Sequence, residues 1–355
     1  MADAGHQTGE DGRPACLILI GKIAFFVYIE IITTNEEPGT TNKRTVVIMN
    51  ALLFAGQGAQ AVGMGRDLAE AYPECKALYT RANEVLGYDL AKICWEGPES
   101  ELVRSNHCQP AIFVTSAVCC RALRRERNTL AIQSTAGLSL GEWAALWLAE
   151  AVSFEEALRI LEARGRFIQE ACEEREGAML SVIGLEASKL KAVAASAGVE
   201  IANYNSPEQT VLSGARASIQ TAEKLVKEAG AKRAIMLNVA GAFHSSLMAS
   251  AAQRLEGFIR DLPIRPPSLP VISNVTGQPH GAPDDIRRQM VLQVTSPVQW
   301  VACVQTLRQQ GVTRYIECGP GRVLSGLVKR IHPEADLNNV QDCPSLTKTI
   351  ADLPV

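Results

Sequence analysis

The chain has 355 residues, of which 47% are hydrophobic and 21% charged, with 35 Lys and Arg against 38 Asp and Glu. These proportions exclude a fibrous, a disordered or a multi-span membrane protein, and the length predicts about two domains or one large domain with an insertion. A formal net charge of −3 gives no overall basic field, so nucleic acid is not an expected partner. Ten cysteines without a C-x-x-C pair predict free thiols in a reducing compartment.

Residues 1–48 differ in character from the rest of the chain. Residues 16–32 are mostly apolar, but Lys22 and Glu30 interrupt them, and the remaining run is shorter than the ~18 residues that indicate a membrane span. The preceding flank lacks the positive charge of a signal peptide, and the segment lacks the Arg- and Ser-rich character of a transit peptide. We expect residues 1–48 to lie outside the catalytic fold, as a targeting extension, a peripheral strand or an unused upstream segment.

From residue 45 onward, strand and helix patterns alternate. This alternation predicts an α/β fold with a mostly parallel sheet. In the last helix of the first half, Ser153 and Glu156 have the spacing of a capping box. The expected elements are strands at 45–54, 128–136, 271–274 and 315–317 and helices at 67–86, 110–123 and 153–173.

The rhythm changes between residues 178 and 238, where the order becomes β-α-β-β-α-β. This order is the split βαβ pattern of a ferredoxin-like unit. We therefore predict a ferredoxin-like insertion, residues 177–239, within an α/β-hydrolase-like large domain formed by residues 49–176 and 240–345. The expected strands are 178–183, 200–204, 209–213 and 233–237, and the expected helices are 188–197 and 217–229.

A candidate nucleophile lies in the segment Gly137-Leu-Ser-Leu-Gly141. Gly-x-Ser-x-Gly between a strand and a helix is typical of a nucleophile elbow, in which small residues allow a sharp turn that exposes the serine hydroxyl. The pattern alone occurs in roughly one chain in ten of this length, taking average Gly and Ser usage. Its position after a predicted strand and before a predicted helix indicates that Ser139 is a nucleophile.

A serine nucleophile needs a base, and five histidines are available. His6 lies in the extension, His280 in a polar turn, and His332 after a basic pair at a helix end. His107 adjoins a cysteine, but no further ligands at metal-binding spacing follow, so no metal site is predicted. His244 comes directly after the insertion, where the chain returns to the main sheet, and is the candidate base.

A glycine-rich turn at residues 56–61 has the form of the dinucleotide fingerprint G-x-G-x-x-A. That fingerprint requires an acidic residue about 20 positions later, at the end of a second strand. Glu74 and Glu84 lie in a helical pattern instead, so we do not expect a nicotinamide or flavin cofactor.

Seven motifs that occur in order carry a family resemblance. They resemble the malonyl-CoA:acyl-carrier-protein transacylases of type II fatty acid synthesis, over residues 52–331. The resemblance implies an α/β-hydrolase-like domain with a ferredoxin-like insertion, in agreement with the periodicity. The motifs are Gly56-Gln-Gly-Ala-Gln60 with Gly63-Met-Gly65, Gly137-Leu-Ser-Leu-Gly-Glu142, Arg164-Gly-Arg-Phe-Ile-Gln169, Asn203-Tyr-Asn-Ser-Pro207, Gly241-Ala-Phe-His-Ser245, Pro297-Val-Gln-Trp300 and Glu317-Cys-Gly-Pro-Gly321.

The resemblance also implies residue roles. Ser139 would be the nucleophile and His244 the base, and the backbone N–H groups of Gln57 and Leu140 would form the oxyanion hole. Arg164 would bind the free carboxylate of the malonyl group, for which a planar, permanently charged guanidinium is suited.

Three further residues are expected to support the site. The first is Gln299, whose backbone carbonyl, near the Val-Gln-Trp segment, would orient His244. The other two supporting residues are Asn205 and Gln109. Neither a cofactor nor a metal is implied. Where the family usually has histidine, this chain has Leu138, which cannot hydrogen-bond or titrate; we expect activity to survive because the other site residues are present.

The implied activity is transfer of malonyl from malonyl-CoA to the phosphopantetheine thiol of holo acyl carrier protein, through a malonyl-serine, by a monomer. A serine hydrolase such as a thioesterase or lipase, and a polyketide-type acyltransferase, remain alternatives. Because carrier proteins are acidic, a basic patch should bind one, and the densest cluster is Arg121, Arg124, Arg125 and Arg127.

Leu138 and the segments around His244 and Gln299 are most similar to the plant and algal plastid branch of this family. The resemblance therefore implies the plastid stroma, with the mitochondrial matrix or the cytoplasm as alternatives.

Overall fold

The computed structural model describes residues 6–8, 14–20, 23–28, 31–33 and 45–353, with side chains from residue 48. Five short strands precede residue 48, and they pair only among themselves within these ranges, as β1-β2-β3 and β4-β5. The other residues of the predicted extension, 1–48, lie outside the description. The five strands are β1 (His6–Thr8), β2 (Pro14–Ile20), β3 (Ile23–Tyr28), β4 (Ile31–Thr33) and β5 (Thr45–Val47).

The remaining elements alternate as the sequence predicts. The strands are β6 (Met49–Phe54), β7 (Ser134–Gly137), β8 (Gly177–Ile183), β9 (Glu200–Ser206), β10 (Gln209–Ala215), β11 (Arg233–Met236), β12 (Val271–Ile272), β13 (Val312–Cys318) and β14 (Asp336–Val340). The helices are α1 (Arg66–Ala71), α2 (Pro73–Leu86), α3 (Leu90–Glu96), α4 (Glu99–Leu102), α5 (Ser105–Glu126), α6 (Gly141–Leu148), α7 (Phe154–Glu174), α8 (Ala187–Ala197), α9 (Arg216–Glu228), α10 (Ala249–Ile259), α11 (Pro283–Leu292), α12 (Trp300–Gln309), α13 (Val323–Ile331) and α14 (Cys343–Asp352).

The large domain is built on a five-stranded parallel sheet in the order β12-β7-β6-β13-β14. Residues of β6 alternate between the two faces: Leu52 and Phe54 pack in one apolar cluster, and Ala51 and Leu53 in another. Both faces are therefore covered, which is the usual condition of a parallel sheet. The predicted α/β fold with a mostly parallel sheet is confirmed.

The insertion forms a separate antiparallel sheet in the order β11-β8-β10-β9, with its own apolar core against α8 and α9. Its fourth strand lies beside the first and its third beside the second, which is the ferredoxin-like arrangement predicted from the sequence. The unit is joined to the large domain by backbone hydrogen bonds between β9 and Val298, from Tyr204 N to Val298 O and from Val298 N to Ala202 O (2.9 and 2.8 Å).

Several predicted boundaries of strands and helices are wrong. The expected strand 45–54 consists of two strands in different sheets, and the strand expected at 128–136 covers only Ser134–Gly137. The helix expected at 67–86 is two helices, because Pro73 lacks an N–H and begins a new helix. The domain end at 345 falls inside α14, which begins with a capping box at Asp342 and buries Leu346. The capping box at Ser153 and Glu156 is present as expected.

No helix in the described part of the chain is both long enough and apolar enough to cross a bilayer.

The long helices α5 and α7 cross at Gly165, and two of the predicted site residues lie next to this crossing. A Cβ atom at Gly165 of α7 would lie 2.2 Å from the backbone oxygen of Ser105 at the start of α5. The glycine therefore permits a close approach that any larger residue would block. Arg164 precedes it on α7, and Gln109 lies one turn along α5 from the crossing.

We predict that Gly165→Ala lowers the free energy of unfolding by at least about 1–3 kcal/mol, because overpacking at the crossing forces the helices apart. Gly257→Ala is the matched control, since this glycine in the last turn of α10 has open space around its Cβ position. It should raise stability by about 0.4–1 kcal/mol. Chemical denaturation of both variants measures the difference, and equal effects would contradict the close-approach account.

Candidate active site

Ser139 lies at a tight turn between β7 and α6, with the left-handed backbone φ of 55°. A Cβ at Gly137 would lie 1.9 Å from the oxygen of Gly141, and a Cβ at Gly141 would lie 2.3 Å from the oxygen of Phe54. Only glycine therefore fits at either end of the turn. Such strained backbone is typical of a nucleophile elbow. The serine lines a cavity of about 190 Å³.

His244 contacts the serine directly. Its Nε2 lies 2.9 Å from Ser139 Oγ, and its Nδ1 lies 2.8 Å from the backbone oxygen of Gln293. Because a carbonyl can only accept, Nδ1 carries the proton, and Nε2 is left to accept from the serine hydroxyl. This is the arrangement that a general base requires.

The surroundings keep His244 neutral. Burial, and next the positive charge of Arg164, lower the pKa of His244 from 6.5 to about 4, although the carbonyls of Gln293 and Ser296 oppose this shift. The imidazole is therefore unprotonated at neutral pH and free to accept a proton.

Arg164 is 3% exposed and points at the same serine. Its Nη2 donates to Ser139 Oγ and to Gln293 Oε1 (both 3.0 Å), and its Nη1 donates to Gln109 Oε1 (2.7 Å). Burial lowers the pKa of the guanidinium from 12.5 to about 10, so it remains charged at neutral pH. All of its hydrogen-bond partners within residues 48–353 are neutral groups.

Two backbone amides are available beside the serine. The N–H groups of Gln57 and Leu140 donate to no acceptor among residues 45–353, whereas the N–H of Ser139 donates to Asn274 Oδ1 (2.7 Å). The turns that carry them are in contact, because a Cβ at Gly56 would lie 2.7 Å from the oxygen of Leu138. Both amides thus lie in the two adjacent turns, as an oxyanion hole requires.

The assignment of Gln299 is wrong. Gln299 is the N-cap of α12: its backbone oxygen accepts from Cys303 N (2.9 Å), and its backbone N–H donates to Asn274 O (2.8 Å). The Gln299 carbonyl is therefore bonded within α12, whereas His244 Nδ1 contacts the backbone oxygen of Gln293. Gln293 takes this role, because it follows the last residue of α11, where carbonyls lack helical partners.

The other supporting residues lie at the cavity as expected. Gln109 holds Arg164 through its Oε1, while its Nε2 has no partner among the described residues. Asn205 lines the cavity, and its buried Oδ1 also has no partner there. Leu138 contributes an apolar wall of the cavity and packs against the second apolar cluster.

The sequence reasoning missed a group of polar residues behind the serine. Gln293, Asn274 and Glu142 form it, and His280 completes it. The sequence predicts His280 in a polar turn, but its side chain is fully buried against Glu142. Of these four residues only Glu142 belongs to one of the sequence motifs, since it ends the Gly137–Glu142 segment.

The other described histidines are remote from the serine. His107 Nδ1 contacts the backbone oxygen of Glu101, and His332 Nδ1 contacts Tyr315 Oη. No group of three or more His, Cys, Asp or Glu side chains in the described ranges is placed to hold a metal ion.

Known proteins share this fold and much of this sequence. The acyl transferase domain family matches residues 51–353. The malonyl CoA-acyl carrier protein transacylase of Bacillus subtilis is 39% identical over 308 residues, which are 85% of this chain and 96% of that protein. A polyketide biosynthesis protein of Burkholderia thailandensis is 41% identical over 291 residues, which are 81% of this chain; the chain spans only 24% of that protein.

Solved structures agree. A type II polyketide synthase acyl carrier protein has been solved in complex with its malonyl-transacylase, and this chain aligns with that complex at a TM-score of 0.83 and 36% identity. The alignment covers 86% of this chain and 100% of the matched one.

We predict that Ser139 reacts with a fluorophosphonate probe at a rate that is flat from neutral pH to about pH 5 and then falls. The reason is that the base must be unprotonated, and the pKa of His244 lies at about 4. Labelling is measured by intact mass, with Ser139→Ala as the control for the labelled position. A loss of rate centred at pH 6.5, the ordinary value for histidine, would contradict the account.

Proposed function

Because the chain belongs to the acyl transferase family, we propose that it is an acyl-carrier-protein S-malonyltransferase, which moves malonyl from malonyl-CoA to the phosphopantetheine thiol of a holo acyl carrier protein. The observation that carries the substrate assignment is Arg164, a buried cation that contacts the candidate nucleophile and whose hydrogen-bond partners are all neutral. The Glu142 carboxylate, which lies behind Gln293, acts on its charge without a hydrogen bond to it. Burial of a charge that has no anionic hydrogen-bond partner is costly, so an anionic group of the substrate is its natural complement.

The first half of the reaction loads the serine. Ser139 Oγ attacks the thioester carbonyl of malonyl-CoA while His244 Nε2 takes the hydroxyl proton. The amides of Gln57 and Leu140 stabilise the tetrahedral oxyanion. The carbon–sulfur bond then breaks, the imidazolium returns its proton to the leaving thiolate, and CoA departs from a malonyl ester on Ser139.

The second half reverses the roles. His244 takes the proton of the carrier protein's phosphopantetheine thiol, whose sulfur attacks the malonyl ester. The carbon–oxygen bond breaks, and the imidazolium protonates Ser139 Oγ. The steps balance without a cofactor or a metal, and we propose that a monomer carries them out.

The two alternatives differ from this proposal. A serine hydrolase would share Ser139 and His244, but it has no use for a buried arginine beside the nucleophile. A polyketide-type acyltransferase would use the same chemistry. One relative is named for polyketide biosynthesis, and the carrier protein in the matched complex belongs to a type II polyketide synthase. We favour supply of fatty acid synthesis, because the seven motifs resemble the transacylases of that pathway and the relative named for polyketide biosynthesis is matched over only 24% of its length.

We expect Arg164→Ala to lower kcat/KM for malonyl-CoA and to shift preference towards acetyl-CoA. Loss of one partner of a buried charge pair costs about 2–5 kcal/mol, so the malonyl-to-acetyl ratio should fall by roughly 30-fold or more. Arg166→Ala is the control, because that arginine is a partly exposed neighbour on α7 paired with Glu162 and Glu170. An unchanged ratio in Arg164→Ala would refute the carboxylate assignment.

Three exposed cations, distinct from the predicted arginine cluster, lie on a segment that also lines the cavity. Val323 and Leu327 of α13 line the cavity, while Arg322, Lys329 and Arg330 are exposed on the same segment. A phosphopantetheine arm that enters the cavity would bring an acidic carrier protein close to α13. We therefore propose α13 as part of the carrier-protein surface.

The cluster expected at Arg121–Arg127 lies elsewhere. It occupies the last turns of α5, 12 to 18 positions beyond Gln109, which corresponds to roughly 18–27 Å at 1.5 Å per residue. Arg125 pairs with Glu74, and Arg127 donates to the backbone oxygen of Ile350. None of the four arginines lines the active-site cavity.

The double variant Lys329→Glu/Arg330→Glu should raise the KM for holo acyl carrier protein on the order of tenfold, because charge reversal opposes an acidic partner. The KM for malonyl-CoA should change much less, and the defect should shrink at high salt. Arg121→Glu/Arg124→Glu is the matched reversal on α5. If both double variants behave alike, α13 is not the docking surface.

We propose further that the protein belongs to the plastid-type branch of the family and works in the plastid stroma. The support is Leu138 and the segments around His244 and Gln299. Imaging of the full chain fused to a fluorescent protein tests this, and signal in the mitochondrial matrix or the cytoplasm would overturn it.

A further inference from the structure

Behind the active-site serine lies a buried carboxylate that the proposed reaction does not use. Glu142 is on the first turn of α6, and its side chain is fully buried. Its Oε2 accepts from Gln293 Nε2 (2.5 Å) and from the backbone N–H of Asn274 (3.2 Å). Its Oε1 lies 2.7 Å from His280 Nε2. Since a carboxylate accepts only, all three neighbours must donate to it.

The first of these neighbours connects Glu142 to every reacting group. Gln293 accepts from His244 Nδ1 through its backbone oxygen and from Arg164 Nη2 through Oε1, and its Nε2 also donates to the backbone oxygen of Ser139 (3.0 Å). If the side-chain amide of Gln293 were flipped, its oxygen would face the Glu142 carboxylate, and two acceptors would meet without a donor. Its NH₂ would face the Arg164 guanidinium, and two donors would meet without an acceptor. The carboxylate thus fixes which way Gln293 points.

The second neighbour holds the strained turn. Asn274 accepts from Ser139 N through Oδ1 (2.7 Å) and donates through Nδ2 to Gly137 O (2.8 Å). Its own backbone N–H is bonded to Glu142. Asn274 bonds the backbone N–H of Ser139 and Gln293 bonds its backbone oxygen, and both of these residues are bonded to the Glu142 carboxylate.

His280 is the sole described partner of the other carboxylate oxygen. It lies in a loop whose neighbours Pro279 and Gly281 are exposed, yet its imidazole is fully buried. Its backbone N–H donates to Val271 O (2.8 Å) at the edge strand β12, which anchors the ring from the far side of the network. A fully buried imidazole on an otherwise exposed loop, placed against a buried carboxylate, indicates that the histidine serves to hold that carboxylate.

We propose that His280 is a positioning residue for the transfer reaction. By donating to Glu142 it fixes the carboxylate that orients Gln293 and Asn274, and through these it sets the geometry of His244, Arg164 and Ser139. The inference rests on the proposed function, because its effect is read in malonyl transfer.

The test compares three substitutions of His280. His280→Leu removes the donor and should lower kcat for malonyl transfer at least tenfold and reduce the malonyl-to-acetyl preference, with the KM for carrier protein within twofold of wild type. His280→Gln can place an N–H near the position of Nε2 and should recover most of the rate. His280→Asn is too short to do so and should resemble His280→Leu.

The control is His332→Leu, which removes another buried imidazole, bonded to Tyr315 Oη and remote from the serine. It should leave kcat and selectivity unchanged, even if it lowers the melting temperature as much as His280→Leu. If His280→Leu does not fold, the comparison of the Gln and Asn variants decides the question.

Wild-type-like kcat and selectivity in every folded His280 variant would overturn the positioning role, and so would equal losses in the Gln and Asn variants. Absence of malonyl transfer by the wild-type protein would instead refute the proposed function, so the two failures are distinguishable.

Discussion

The site depends on a positive charge buried beside a neutral base. Burial, and next the charge of Arg164, lower the pKa of His244, and the same guanidinium contacts Ser139 Oγ. One guanidinium therefore helps to keep the proposed base unprotonated and offers a place for an anion to bind. A carboxylate that pairs with Arg164 would offset that charge and make His244 a stronger base. A substrate with a free carboxylate would therefore both occupy the site and improve its chemistry, which an acetyl group cannot do.

The fold holds this charge in place by bringing distant segments to one point. Gly165 lets α7 and α5 approach closely, so that Arg164 and Gln109 meet, and the parallel sheet presents Ser139 at the carboxyl end of β7. Gln293 then joins the base and the guanidinium through its backbone and its side chain. Because most of these contacts are hydrogen bonds between buried groups, loss of one partner leaves others unsatisfied.

Much of the fold and the proposed pair of Ser139 and His244 could be predicted from sequence, because the elements and the serine turn follow from local pattern and few histidines were available as partners. Periodicity predicted the α/β order and the insertion, and a motif with three fixed residues indicated Ser139. Gln293 and His280 were beyond reach, since they act on residues 49 and 138 positions away through single contacts that leave no spacing pattern. Gln299 was chosen for its motif, whereas the orienting carbonyl is set by where α11 ends.

The most direct test of the account is the fate of the malonyl group on the wild-type protein. Incubation with malonyl-CoA, followed by digestion and mass spectrometry, should show a malonyl adduct on the peptide that contains Ser139. Addition of holo acyl carrier protein should discharge this adduct onto the carrier thiol much faster than water removes it. Absence of the adduct, or its hydrolysis at the same rate with and without carrier protein, would contradict the account.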